Sequence, residues 1–173
     1  MYLTAIILKS SLKVAVFLMI KDFFWVFFVS MIPVVELRGA IPIGCGLGLP
    51  AFETFIAAVL GNLLPVPFIV LFIRKIFALI RKWWPWLNNM VTRLENKALS
   101  KADKIHKYEL FGLILFVAIP LPGTGAWTGA LIAALMDIRL KRAFPAILIG
   151  VLIAGVIITL LSYGIKLGVE TIG

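Results

Sequence analysis

Glu36 and Arg38 carry reactive side chains in an unusual setting. They stand two positions apart in Pro33-Val34-Val35-Glu36-Leu37-Arg38-Gly39-Ala40-Ile41-Pro42, with uncharged apolar sequence on both sides. A carboxylate can carry a proton. A guanidinium offers a planar fork of donors that matches a phosphate or carboxylate. Without partners in hydrocarbon, either charge costs several kcal/mol. A proline-bounded break that holds both points to a protein-lined cavity, and by default to a site.

The composition says what surrounds that break. Of 173 residues, 62% are apolar and the mean hydropathy is +1.11, whereas soluble domains hold about 45–50% apolar residues. The length fits one membrane domain, residues 1–173. The formal charge is +9. Its basic residues stand beside apolar runs, so membrane orientation and anionic lipid headgroups explain them, and a nucleic-acid partner is not expected. Cys45 is the sole cysteine; it can form no intrachain disulfide and reads as a small packing residue. The first residues, Met1 to Leu8, lack a basic n-region and no cleavage site follows, so a removed signal peptide is not expected.

The elements that must position the pair follow from charge and breakers. Residues 1–22 are interrupted by Lys9, Lys13 and Lys21, which fits an interfacial helix slightly better than a span. Residues 23–52 hold two uncharged runs, each shorter than the roughly 20 residues of a span, around the charged break. They predict a re-entrant hairpin, with one kinked helix as the rival. Gly44-Cys45-Gly46-Leu47-Gly48 in its second arm predicts close helix packing, since no strand precedes it. Residues 53–73 match a full transmembrane helix kinked by Asn62, Pro65 and Pro67. Asn62 reads either as an interhelical hydrogen-bonding residue or as a ligand contact.

Residues 74–109 form the long polar segment, with nine basic and three acidic residues. The positive-inside rule puts it in the cytoplasm. Pro85 can open a helix. The helical spacing of Leu87, Met90, Val91, Leu94, Ala98 and Ile105, below Trp83, Trp84 and Trp86, predicts an amphipathic helix on the inner leaflet. His106 reads as a solvated side chain, with a pH sensor as the alternative.

Residues 110–136 are uncharged and broken by Pro120-Leu121-Pro122-Gly123-Thr124-Gly125; no continuous helix survives there. Basic sequence flanks the run on both sides, and 27 residues cannot cross twice. They predict a second re-entrant hairpin with its tip near 120–125. Residues 143–165 are a second clean span, ending near Tyr163 as an interfacial aromatic.

The two halves align. Phe55-Ile56-Ala57-Ala58-Val59-Leu60-Gly61 matches Phe144-Pro145-Ala146-Ile147-Leu148-Ile149-Gly150, and Glu36-Leu37-Arg38-Gly39-Ala40 matches Ala126-Trp127-Thr128-Gly129-Ala130 with one residue of slip. The two spans run in opposite directions, as an inverted repeat requires. The fold class expected is therefore an all-α polytopic membrane protein. It has two re-entrant helical hairpins plus transmembrane helices in an inverted repeat.

Val35-Glu36-Leu37-Arg38-Gly39-Ala40-Ile41-Pro42 and Pro120-Leu121-Pro122-Gly123-Thr124-Gly125-Ala126-Trp127-Thr128-Gly129-Ala130 resemble the two signatures of the bacterial and archaeal small multidrug export family, over roughly residues 23–165. That family resembles, more distantly, the DedA (VTT-domain, SNARE-associated) superfamily. The resemblance implies a DedA-like fold and the movement of lipids, including a polyprenyl-phosphate carrier. It also implies a multi-pass place in the cell membrane. DedA-type second hairpins carry arginines three residues either side of the proline, where this chain has Val117 and Gly123. A bound phosphate would then rely on Arg38 and backbone amides.

No metal-ligand cluster, nucleophile–base pair or P-loop is visible, so neither an enzyme nor a cofactor is expected. Two transport functions compete. In the first, an anionic amphiphile such as a lipid phosphate meets half-helix N-termini at a hairpin tip. Gly123, Thr124 and Gly125 allow close approach, Arg38 adds donors, and Glu36 carries a proton. One proton moved inward gains about 2.3 kcal/mol per 100 mV. In the second, Glu36 alternates between a proton and a lipophilic cationic drug. A third reading is structural: the pair only locks the tip. Gly39, Pro42, Asn62, Pro120, Pro122 and Trp127 complete the candidate substrate- or proton-binding set. The expected partners are membrane lipids, a lipid or small-molecule substrate, and further copies of the chain in a homo-oligomer.

Overall fold

The computed structural model describes residues 2–102, 109–121 and 123–172, with side chains for 12–100, 110–121, 123–169 and Thr171. His106 and Pro122 lie outside these residues. The described chain is helical throughout, with α1 at Tyr2–Ser30, α2 at Glu36–Gly46, α3 at Ala51–Leu63 and α4 at Pro65–Trp83. A 3-10 turn at Pro85–Leu87 leads into α5 at Asn88–Ala102. Then come α6 at Glu109–Ala118, α7 at Ala126–Leu135 and α8 at Leu140–Ile172.

Breakers explain most of these ends. No proline or glycine occurs from Tyr2 to Ser30, and α1 runs unbroken across the division expected at residue 22. Pro33 lacks an amide hydrogen, and residues 31–35 close as successive turns, with Met31 N–H donating to Phe28 O and Ile32 N–H to Val29 O, each at 3.1 Å. The expected kink of the first span lies at Leu64, where α3 gives way to α4 at Pro65. Pro120 and Gly123 (φ +77°) separate α6 from α7.

Among the described residues two stretches are long and apolar enough to cross a membrane: Ala51–Trp83, which spans α3 and α4, and Leu140–Val169 within α8. Phe68, Leu71, Phe72, Ile153 and Leu160 on them are exposed. So broad an apolar surface suits lipid rather than water.

Packing between the halves is reciprocal. α1 lies along α3, and α6 lies along α8; α2 reaches across to α8, and α7 reaches across to α4. The core between them holds Val26, Leu37, Ile41, Ala57, Ala58, Val66, Leu113, Ala130, Ile132, Ile147 and Val151. Two aligned glycines make the close approaches. A Cβ on Gly61 would strike the Phe27 carbonyl oxygen of α1 and lie 3.1 Å from Ser30 Cβ. A Cβ on Gly150 would lie 2.9 Å from the Ile114 carbonyl oxygen of α6 and 2.7 Å from Val117 Cβ. Each glycine lets one helix sit against the backbone of another, as small residues do in membrane bundles.

Tyr163 is not merely an interfacial aromatic. Its hydroxyl lies 2.7 Å from Thr54 Oγ1 and donates to the Leu49 carbonyl at 2.6 Å. It ties the far part of α8 to the loop that opens α3.

Candidate functional site

The break between α6 and α7 leaves orphan backbone groups of both signs. An α-helix ends with unpaired carbonyls and begins with unpaired N–H groups, and each end carries about half an elementary charge. The N-cap of α7 is Gly125, which has no side chain to offer. Within the break, Thr124 Oγ1 lies 2.8 Å from each of the Ile119 and Leu121 carbonyl oxygens; the charged residues that meet these groups come from the other break.

Glu36 meets the N-terminus of α7. Its Oε1 accepts the Trp127 N–H at 3.2 Å, and its carboxylate fills the space that a Cβ on Gly125 would need. Arg38 meets the C-terminus of α6. Its Nη1 donates to the Leu121 carbonyl. Its Nη2 lies 3.1 Å from Ile119 O, 3.4 Å from Val117 O and 3.0 Å from Thr124 Oγ1. An acid on a helix N-terminus and a base on a helix C-terminus both lower the electrostatic energy of the break.

The two charges also face each other, with Arg38 Nη1 3.9 Å from Glu36 Oε2 and side-chain exposures of 16% and 6%. On a regular helix, neighbours two apart point away from each other. Here Glu36 takes a left-handed backbone conformation, φ +51°, which turns its side chain across the break. A non-glycine residue there costs on the order of 1–3 kcal/mol and is tolerated where the surroundings fix it.

Contact runs the other way too. Trp127 Nε1–H donates to the Met31 carbonyl at 3.1 Å, so the second break also satisfies a backbone group of the first. Around these contacts lie two cavities. One, of about 500 Å³, is lined by Pro33 to Glu36, Arg38, Gly39, Pro120 and Gly123. The other, of about 470 Å³, is apolar and runs along α4, with Phe68, Phe72 and Ile76 on its wall and Met31 and Trp127 at its edge.

The expected site residues thus divide. Glu36, Arg38, Gly39, Pro120, Gly123, Thr124, Gly125 and Trp127 gather at the two breaks. Pro42 lies further along α2, exposed, and Asn62 lies on α3, wholly buried, with no hydrogen-bond partner among the described residues for either side-chain polar atom; neither lines these cavities. The Met31 carbonyl and the α4 wall were not singled out from sequence. The wall had a signal: Phe68, Phe72 and Ile76 recur at helical spacing. The carbonyl had none, because every residue carries one. Among the described residues no group of three His, Cys, Asp or Glu side chains could hold a metal ion.

Neither the curated proteins nor the solved structures contain a match to the chain. The profile of the family described as "Putative small multi-drug export protein" matches residues 36–157, from the acid of the first break to the middle of α8. The chain belongs to that family.

Proposed function

We propose that the chain is a secondary membrane transporter that moves an anionic amphiphile, such as a lipid phosphate, together with a proton. On this reading the end of α1 with α2, and α6 with α7, are two re-entrant hairpins of an inverted repeat. The reciprocal packing of α2 on α8 and α7 on α4 supports that topology, as do the matching roles of Gly61 and Gly150. The setting is the cell membrane, with residues 74–109 cytoplasmic, and the working unit is a homo-oligomer.

One observation carries the mechanism: the Glu36 carboxylate sits on the N-terminus of α7 beside Arg38. That is where a substrate oxyanion would bind. Glu36 therefore acts as a built-in anion. When it takes up a proton, the Trp127 N–H loses a charged acceptor and Arg38 loses its counter-charge. An anionic headgroup in the cavity of about 500 Å³ replaces both, and its hydrocarbon lies in the apolar cavity bordered by Trp127. Loss of the proton brings the carboxylate back and displaces the headgroup. Proton and anion thus travel together, and each favours binding of the other, as linkage requires.

The test uses vesicles reconstituted with the chain and a fluorescent lipid phosphate, under an imposed pH gradient. Wild-type translocation is expected to follow the gradient. Glu36→Gln is expected to translocate without responding to it, and Arg38→Ala to lose translocation. Unchanged behaviour in both variants overturns the mechanism.

A second reading takes drug export from the family's description and adds, as our own inference, that the drug is a lipophilic cation exchanged for protons at Glu36. Arg38 at 3.9 Å from the carboxylate opposes it, because it repels a cation at the same place. Proton-driven cation uptake into everted vesicles, lost in Glu36→Gln, would decide in its favour.

A further inference from the structure

The polar segment after α4 presents a second surface, separate from the breaks. The stretch Ala51–Trp83 is long enough to cross the bilayer, so the residues that follow it emerge at one membrane face. At that end of the stretch and just past it stand Trp83, Trp84 and Trp86, exposed by 66%, 51% and 76%. Tryptophan concentrates at that depth because its ring is apolar and its N–H is polar.

α5 continues the surface with three faces. Val91 and Ala98 are buried, and α5 packs against α7. At about 100° per residue, Leu94, Met90, Lys97 and Arg93 then follow one another around the helix. The first two are exposed apolar residues and the last two exposed cations. An apolar stripe bordered by long basic side chains is the arrangement that lies in a bilayer interface, with the charges reaching the headgroups. Glu95, the acid among the described residues of α5, is already paired with Arg81, whereas Arg93 and Lys97 form no ion pair among the described residues.

Further cations adjoin. Lys82 stands in the last turn of α4. The ion pair between Arg74 and Asp137 brings the loop that carries Arg139, and the first turn of α8 with Arg142, beside α4. We propose that α5, with Trp83–Trp86, is a docking surface for the headgroups of anionic phospholipids in the leaflet it meets. Because its buried face rests on α7, lipid bound there also fixes the helix whose N-terminus Glu36 caps. The docking stands whichever substrate the breaks carry.

The chain, reconstituted in vesicles that contain brominated phosphatidylglycerol or, at equal mole fraction, brominated phosphatidylcholine, reports this contact through tryptophan quenching. The signal of the cluster is the component lost in the Trp83→Phe, Trp84→Phe, Trp86→Phe variant. Stronger quenching by the anionic lipid is expected, with the preference reduced by salt and lost in Arg93→Gln, Lys97→Gln. Each of these cations is expected to contribute about a fivefold enrichment of anionic lipid. Native mass spectrometry of the wild-type chain gives an independent readout, with anionic lipid retained over zwitterionic. Equal quenching by both lipids, or a preference that survives the double substitution, overturns the proposal. So does a cluster quenched by neither lipid, which would mean that water or another protein covers it.

Discussion

The carboxylate of Glu36 occupies the place of the side chain that Gly125 lacks. Most helices are capped by a residue of their own chain segment; α7 is capped from another break. Gly125→Ala therefore sets a methyl group against a carboxylate, and one must leave. The expected result is loss of the cap, about 0.5–2 kcal/mol, read as a lower melting temperature in detergent. Gly125→Ala combined with Glu36→Ala is expected to cost less than the sum of the single changes, because the smaller side chain vacates the space. Additive costs would show that the two residues do not contend for it.

Arg38→Lys tests whether the guanidinium fork matters. Arg38 serves three carbonyls and the Thr124 hydroxyl from two nitrogens. A lysine keeps the charge but is a single point donor on a flexible stem. It takes the charged donor from the Val117 carbonyl and from the Ile119 and Leu121 carbonyls that Arg38 shares with Thr124, at about 1–3 kcal/mol. Thermal unfolding is expected to show nearly the loss seen in Arg38→Ala. A lysine variant as stable as the wild type would mean that charge alone suffices.

Trp127→Phe removes one donor and keeps an aromatic ring. The lost contact is the Nε1–H bond to the Met31 carbonyl at 3.1 Å, worth about 0.5–1.5 kcal/mol. Glu36 and Arg38 then remain as ties between the first break and the second. Hydrogen exchange is expected to rise at Met31 to Val35 more than at α3. Uniform exchange across both would show that the Trp127 bond does not hold the first break.

Breakers and charge made the frame legible. Pro33, Pro65 and Pro120 with Gly123 mark the helix ends, because a missing N–H or a positive φ acts on the chain locally. Glu36 and Arg38 stood out because charge in apolar sequence demands partners. The partners themselves were not legible. Arg38 is served by carbonyls of Val117, Ile119 and Leu121, and backbone groups leave no trace in residue type. The cross-capping of α7 by Glu36 needs both the left-handed turn at residue 36 and the empty side of Gly125, a tertiary coincidence that spacing does not encode. Asn62 reads first as an interhelical hydrogen-bonding residue and second as a ligand contact, and it lies away from the breaks, since polarity in a span says that a partner is needed but not where. The alignment of Gly61 with Gly150 was visible, but its meaning required the two carbonyls that approach them.

That alignment gives the last prediction. If the two halves use the same packing device, Gly61→Ala and Gly150→Ala must fail for the same reason. Each new Cβ meets a backbone carbonyl of the neighbouring helix, Phe27 in one case and Ile114 in the other. A carbonyl fixed in a helix cannot swing aside as a side chain can, so the helices must separate and the α1–α3 or α6–α8 contact loosens. Overpacking of this kind costs about 1–3 kcal/mol. Gly164→Ala is the control, on α8 with nothing within 4 Å of its added Cβ. There the change only replaces a poor helix former with a good one, worth about 0.5–1 kcal/mol in favour of the fold. Thermal unfolding of the three variants is expected to give two losses of similar size and one small gain. A loss at only one of Gly61 and Gly150 would mean that the sequence alignment of the halves does not extend to their packing.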